Sequence, residues 1–261
     1  MGEKLFWENF KENLRKLIPD LFTLGNLALG VTALFYLLEG RGDFSISFIF
    51  IAMVLDGLDG KLAVKLNTVS ERGKQLDSLC DLVSFGVAPA AVFYTLSLYV
   101  FGNLGFLVAL LFPLAGAWRL ARFNLLSASE KEDFMGLPIT IAGGALVALL
   151  LTGYFHLFWV PVPYILFLSF LMISKIPYPA VKKKNKNRHE SKVTGAGGYS
   201  FLFFYLGIIA FALLILLRRD WIFFLLSAYV WIGFIFGFYK TFRLWRKRKD
   251  VALPFTDRID F

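Results

Sequence analysis

Long apolar runs separated by short polar joints dominate the chain, at about residues 21–38, 44–64, 75–100, 104–125, 138–156, 160–174, 199–217 and 221–240. A helix that crosses a bilayer takes about 20 mostly apolar residues. The pattern therefore predicts an all-α, polytopic integral membrane bundle of about eight transmembrane helices. Ahead of the first run, Phe6, Trp7, Phe10, Leu14, Leu17 and Ile18 recur at helical spacing, with Lys4, Glu8, Lys11, Glu12, Arg15 and Lys16 between them. That is the pattern of an amphipathic helix lying in the membrane interface over residues 1–20.

Composition supports the membrane reading. Of 261 residues, 57% are hydrophobic and 18% aromatic, and the mean hydropathy is +0.64; soluble domains carry roughly 45–50% apolar residues. A single cysteine, Cys80, excludes an internal disulfide. The first residues lack the progression of a cleavable signal, so the N-terminus is expected to be retained.

The net charge of +9 sits in the joints and at the ends, as in the run Lys182, Lys183, Lys184, Lys186, Arg188, Lys192 and the run Arg243, Arg246, Lys247, Arg248, Lys249. The opposite set of joints holds only Arg41, Arg218 and Arg219. This asymmetry points to a multi-pass protein of the cell membrane with both termini cytoplasmic, and the basic charge is expected to serve topology and lipid, with no nucleic acid partner. Five segments are expected: the interfacial helix 1–20, a six-span part 21–180, a basic cytoplasmic linker 181–198, two further spans 199–240 and a basic tail 241–261.

Candidate chemistry lies where acids should be rare. The second run contains Asp56-Gly57-Leu58-Asp59-Gly60-Lys61-Leu62-Ala63, and the third opens Gly73-Lys74-Gln75-Leu76-Asp77-Ser78-Leu79-Cys80-Asp81. Spacings of three and four place each acid pair on one helix face, and a short connection would bring the pairs face to face near the cytoplasmic side. An aspartate at mid-membrane costs about 2.5–3.5 kcal/mol, and lysines are too few nearby to cancel four. Four converging carboxylates suit hard divalent cations, Mg²⁺ or Mn²⁺, which work alongside substrate phosphates. Gly57, Gly60 and Gly73, with Ala63, would let a nucleotide lie against the backbone; ordinary helix packing is the other use for such residues. A cation transporter could also line helices with acids, although it would spread them along a pathway.

The pattern Asp56-x2-Asp59-Gly60-x2-Ala63, then Gly73-x3-Asp77-x3-Asp81, resembles the signature of the CDP-alcohol phosphatidyltransferases. The resemblance covers about residues 18–180 and breaks at Val64, where the family usually has arginine. It implies transfer of a phosphatidyl group from CDP-diacylglycerol to an alcohol with release of CMP, and a homodimer. Asp56, Asp59, Asp77 and Asp81 would hold two metal ions, Mg²⁺ or Mn²⁺, with Asp81 also the general base. Thr23, Asn26, Gly60, Lys61, Ala63, Lys65, Ser70 and Gly73 would contact the CDP-lipid, Lys61 or Lys65 standing in for the missing arginine.

The stretches Leu76 to Pro89, Arg119-Leu120-Ala121-Arg122-Phe123-Asn124 and Phe134-Met135-Gly136-Leu137-Pro138 look like the branch that uses L-serine as acceptor. Branches with phosphorylated acceptors carry proline and lysine where this chain has Ser78 and Leu82. Arg119 and Arg122 would fork onto the serine carboxylate, with Asn124 and Ser84 as further serine contacts. The same chemistry with another alcohol, or with an ether-lipid CDP donor, is the neighbouring reading.

Overall fold

The computed structural model describes residues 2–66, 68, 70–126, 136–152, 154–157, 159–176 and 219–251, without the side chains of 2–16, 63–64, 126, 219–221 and 243–251. The expected linker 181–198, the seventh span 199–217 and residues 252–261 of the tail lie outside the described residues, as do the side chains of the amphipathic pattern up to Lys16. Among the described residues the fold is entirely helical.

The first element, α1 (Gly2–Leu38), is one continuous helix of 37 residues that runs through Pro19, where the polar first half meets the apolar second half. It ends at Gly40, whose φ of 76° is the left-handed conformation that glycine adopts without strain. Gly40 N–H donates to Leu37 O and Arg41 N–H to Tyr36 O, both at 2.9 Å, closing the helix as a Schellman motif. The chain then reverses into α2 (Gly42–Leu66). Ser45 Oγ donates to Ala33 O at 2.8 Å across this buried hairpin.

The next helix is α3 (Glu71–Asp81), and Ser70 caps it by accepting Gly73 N–H at 3.0 Å. Directly after Asp81 the helix widens into a π segment, Leu82–Val87, before tightening into α4 (Ala88–Leu96). Pro89 explains the local widening, because it has no N–H to give to Phe85 O four residues back. Gly143 of α6 (Ile139–Leu151) fills this opening: a Cβ there would sit 2.5 Å from Phe85 O and 3.1 Å from Phe85 Cα. α5 (Gly102–Leu126), α7 (Pro161–Ile173) and α8 (Arg219–Val251) complete the described bundle.

Among the described residues, four helical stretches are long and apolar enough to cross a membrane: Leu17–Leu38, Glu71–Leu96, Leu98–Leu125 and Ile222–Phe242. The expected spans 138–156 and 160–174 contract to α6 and α7, each of 13 residues and about 20 Å long, short of a bilayer core of about 30 Å. Thr152 closes α6, with both its N–H and its hydroxyl turned to Leu149 O. α6 is buried from Ala142 to Leu150. It sits at the centre of the bundle, against α4, α7, α8 and the π segment.

Candidate active site

The four acids come from two helices that do not pack closely on each other. α3 leans on α1 and on the π segment, as α2 leans on α1, so α1 is the common support. The side chains of Asp56, Asp59 and Asp77 nevertheless converge, one carboxylate oxygen from each lying within 4.8 Å of the others. Asp81 joins them through hydrogen-bond contact with Asp56. Asp59 and Asp81 are buried.

Three of the carboxylates receive a neutral donor from another helix. Thr23 Oγ1 lies 3.0 Å from Asp59 Oδ2 and 3.1 Å from Pro19 O, so its proton serves either acceptor. Asn26 Nδ2 donates to Asp81 Oδ1 at 3.2 Å, and Thr140 Oγ1 to Asp56 Oδ2 at 3.1 Å. Neutral donors orient a carboxylate but leave its charge in place. Asp77 Oδ1 is buried with no hydrogen-bond partner among the described residues. A buried anionic oxygen without a partner is costly, and a divalent cation bound by the convergent oxygens would satisfy it. The donor set, all carboxylate oxygen, suits Mg²⁺ or Mn²⁺.

A cavity of about 200 Å³ opens beside these acids, between α1, α2 and α3. Thr23, Asp59, Gly60, Ser70, Gly73 and Asp77 line it, which brings four of the expected nucleotide contacts together with two of the acids. No described atom lies within 4 Å of a Cβ built on Gly57 or Gly60. These two glycines therefore keep space open, in contrast to Gly143, which permits a helix contact. Lys61 and Lys65 are exposed on α2 and do not line the cavity. The side chains of Ala63 and Val64 lie outside the described residues.

The expected acceptor contacts differ in their partners. Arg119 is 6% exposed, and its Nε has no hydrogen-bond partner among the described residues; Asp81 lies within its electrostatic reach. Arg122 has another set of partners: Nη1 donates to Ile173 O at 2.7 Å, and Nη2 to Ser174 O at 3.1 Å and Met172 O at 3.3 Å. Its fork closes the end of α7. Asn124 Nδ2 donates to Ser78 Oγ at 3.0 Å and lies 3.3 Å from Gln75 Oε1, tying α5 to α3. Ser84 Oγ donates to Asn26 O at 3.0 Å. A Cβ at Gly30 would fall 2.8 Å from Ser84 Cα, so Ser84 marks a tight crossing of α1 and the π segment.

Asp20, Thr68, Lys74 and Thr140 were not singled out by sequence reasoning. The first three line the cavity, and Lys74 is paired with Glu71 at 2.6 Å. A hydroxyl in the first turn of the otherwise apolar α6 is the signal that could have drawn attention to Thr140.

The family model of the CDP-alcohol phosphatidyltransferases matches residues 16–174. A Bacillus subtilis protein named CDP-diacylglycerol–serine O-phosphatidyltransferase is 40% identical over 177 residues, which are 67% of this chain and 96% of the relative. A protein of the same name from Methanocaldococcus jannaschii is also 40% identical over 177 residues, 66% of this chain and 79% of the relative. A Methanothermobacter thermautotrophicus protein named archaetidylserine synthase is 35% identical over 167 residues, 63% of this chain and 70% of the relative. The matched region runs from residue 16, within α1, to the end of α7, and holds Asp56, Asp59, Asp77 and Asp81 and the cavity beside them. The chain belongs to the CDP-alcohol phosphatidyltransferase family.

Proposed function

We propose that this chain transfers the phosphatidyl group of CDP-diacylglycerol to the hydroxyl of L-serine, forming phosphatidylserine and CMP. The observation that carries the reading is the convergence of Asp56, Asp59 and Asp77 beside an open cavity, in a chain whose relatives are named for transfer to serine. Asp56, Asp59, Asp77 and Asp81 would hold two ions, Mg²⁺ or Mn²⁺, whose chemistry when bound would be to neutralise the diphosphate and stabilise CMP as leaving group. Asp81 also takes the proton of the serine hydroxyl as its oxygen bonds to the phosphatidyl phosphorus and the bond from that phosphorus to CMP breaks. Thr23, Asn26, Gly60, Ser70 and Gly73 bind the nucleotide, with Ala63, Lys61 and Lys65 at its edge.

Arg119 is the residue for the serine carboxylate. Its burial and its unpartnered Nε support the assignment, because a buried guanidinium with an unused donor gains from a bidentate anionic ligand. Asn124 and Ser84 are the further proposed contacts for serine.

The catalytic part occupies 21–180, followed by the linker 181–198, two spans in 199–240 and the tail 241–261. Eight spans, an interfacial helix over 1–20, cytoplasmic termini and a homodimer complete the proposed arrangement at the cell membrane; the positive-inside charge asymmetry supports its orientation.

Purified protein given CDP-diacylglycerol, Mn²⁺ or Mg²⁺ and L-serine is expected to release CMP in a serine-dependent way and to stop on addition of a chelator. Release with inositol phosphate or glycerol phosphate but not with serine would sink the acceptor assignment. The relative named for archaetidylserine gives a specific reason to run an ether-lipid CDP donor in parallel, and a strong preference for it would move the donor to that class. Cation flux in proteoliposomes without any CMP release would mean a transporter.

A further inference from the structure

Asp59 and Asp81 receive their donors from α1, two turns of one helix. Asp56 receives its donor from Thr140 of α6, 84 residues away in sequence. Thr140 stands in the first turn of α6, just after Pro138. In a helix a threonine χ1 is restricted to two rotamers, so the reach of its hydroxyl depends on how α6 is seated.

That seat is built with unusual care for a loop. Gly136 N–H donates to Ile176 O at 2.9 Å and Leu137 N–H to Leu171 O at 3.1 Å, stitching the start of α6 to the end of α7. Arg122 reaches over from α5 and gathers the carbonyls of Met172, Ile173 and Ser174. Gly136 has φ 80°, and a Cβ on it would come within 2.6 Å of Met172 O and 3.0 Å of Arg122 Nη2. Both the backbone conformation and the space demand glycine.

We propose that Thr140 is a positioning residue for Asp56: its hydroxyl fixes the carboxylate in the rotamer that presents an oxygen to the bound cation, and the seat made by Arg122 and Gly136 fixes Thr140. This rests on the reading of Asp56 as a metal ligand. With Oδ2 taken by the hydroxyl, Oδ1 is left for the ion. Partners of this kind around metal ligands typically change metal affinity by about 10–100-fold when removed.

The test is Mn²⁺ binding to the detergent-purified full chain, read as loss of the free-ion paramagnetic resonance signal, which requires no turnover. Thr140→Val keeps the shape and removes the donor, and is expected to weaken Mn²⁺ binding by about tenfold. Thr140→Ser restores the donor and is expected to stay within about twofold of the parent. Thr140→Ala, which adds no bulk, gives the same comparison as Thr140→Val should the valine prevent folding. In an Asp56→Asn background the change at Thr140 is expected to have no further effect. Unchanged binding in Thr140→Val and Thr140→Ala overturns the proposal, as does an equal loss in the Asp56→Asn background. Should Asp56→Asn itself bind Mn²⁺ like the parent, the metal reading of Asp56 fails first and the role of Thr140 falls with it.

Discussion

Asp81 lies where two demands meet. It accepts a hydrogen bond from Asn26 and touches Asp56, yet as the proposed base it must take a proton from the acceptor. Asp81→Asn keeps the shape and removes that ability, while Asp56, Asp59 and Asp77 still converge. Serine-dependent CMP release is expected to fall at least about 100-fold with CDP binding reduced only severalfold; near-normal turnover would remove Asp81 from the role of base. Gly60 is a second position where one atom decides function. Nothing described lies near a Cβ built there, and glycine inside a helix costs about 0.5–1 kcal/mol relative to alanine. Gly60→Ala is therefore expected to raise the thermal midpoint slightly and to raise the KM for CDP-diacylglycerol. An unchanged KM would mean that no substrate approaches the backbone at this point.

At the scale of elements, the site is a set of helices held in register by polar contacts outside the acids. Asn124 and Ser78 tie α5 to α3, Ser84 ties the π segment to α1, and Arg122 ties α5 to the end of α7. The two arginines three apart on α5 thus have different partners, although they look alike in sequence. Lysine offers a point charge in place of the planar fork, so the same substitution separates them. Arg122→Lys is expected to lower the thermal midpoint and leave the serine KM of the folded enzyme within about twofold, whereas Arg119→Lys is expected to raise that KM about tenfold, the loss of one charge-assisted hydrogen bond. A large rise in serine KM for Arg122→Lys would return it to the acceptor site.

Over the whole molecule, α2 sets the distance between the two ends of the catalytic part. Its 25 residues span about 38 Å, with the Gly40 turn at one end and the cavity with Ser70 at the other. In a Cys80→Ser background, Glu39→Cys is expected to react with an impermeant maleimide only from outside the cell, and Glu71→Cys only in inverted vesicles. Both side chains are exposed, at 61% and 79%, so reaction from the same side would overturn the proposed orientation of the catalytic part.

The sequence by itself determined the helical class, the membrane setting and the four acids. Apolar run length and helical spacing are local properties, and aspartates in an apolar run are too costly to be incidental. It also determined the family, because the spacing of the acids and glycines is a linear pattern. Where α6 and α7 stop was decided by tertiary structure, since the apolar runs continue past Thr152 and begin before Pro161 while the helices do not. Tertiary structure alone separated Gly60, which keeps a cavity open, from Gly143, which lets α6 rest on Phe85. It alone gave Arg122 to α7 and Thr140 to Asp56. A guanidinium or a hydroxyl is compatible with many partners, and only the folded chain, which brings residues 50 or more positions apart within hydrogen-bonding distance, selects one.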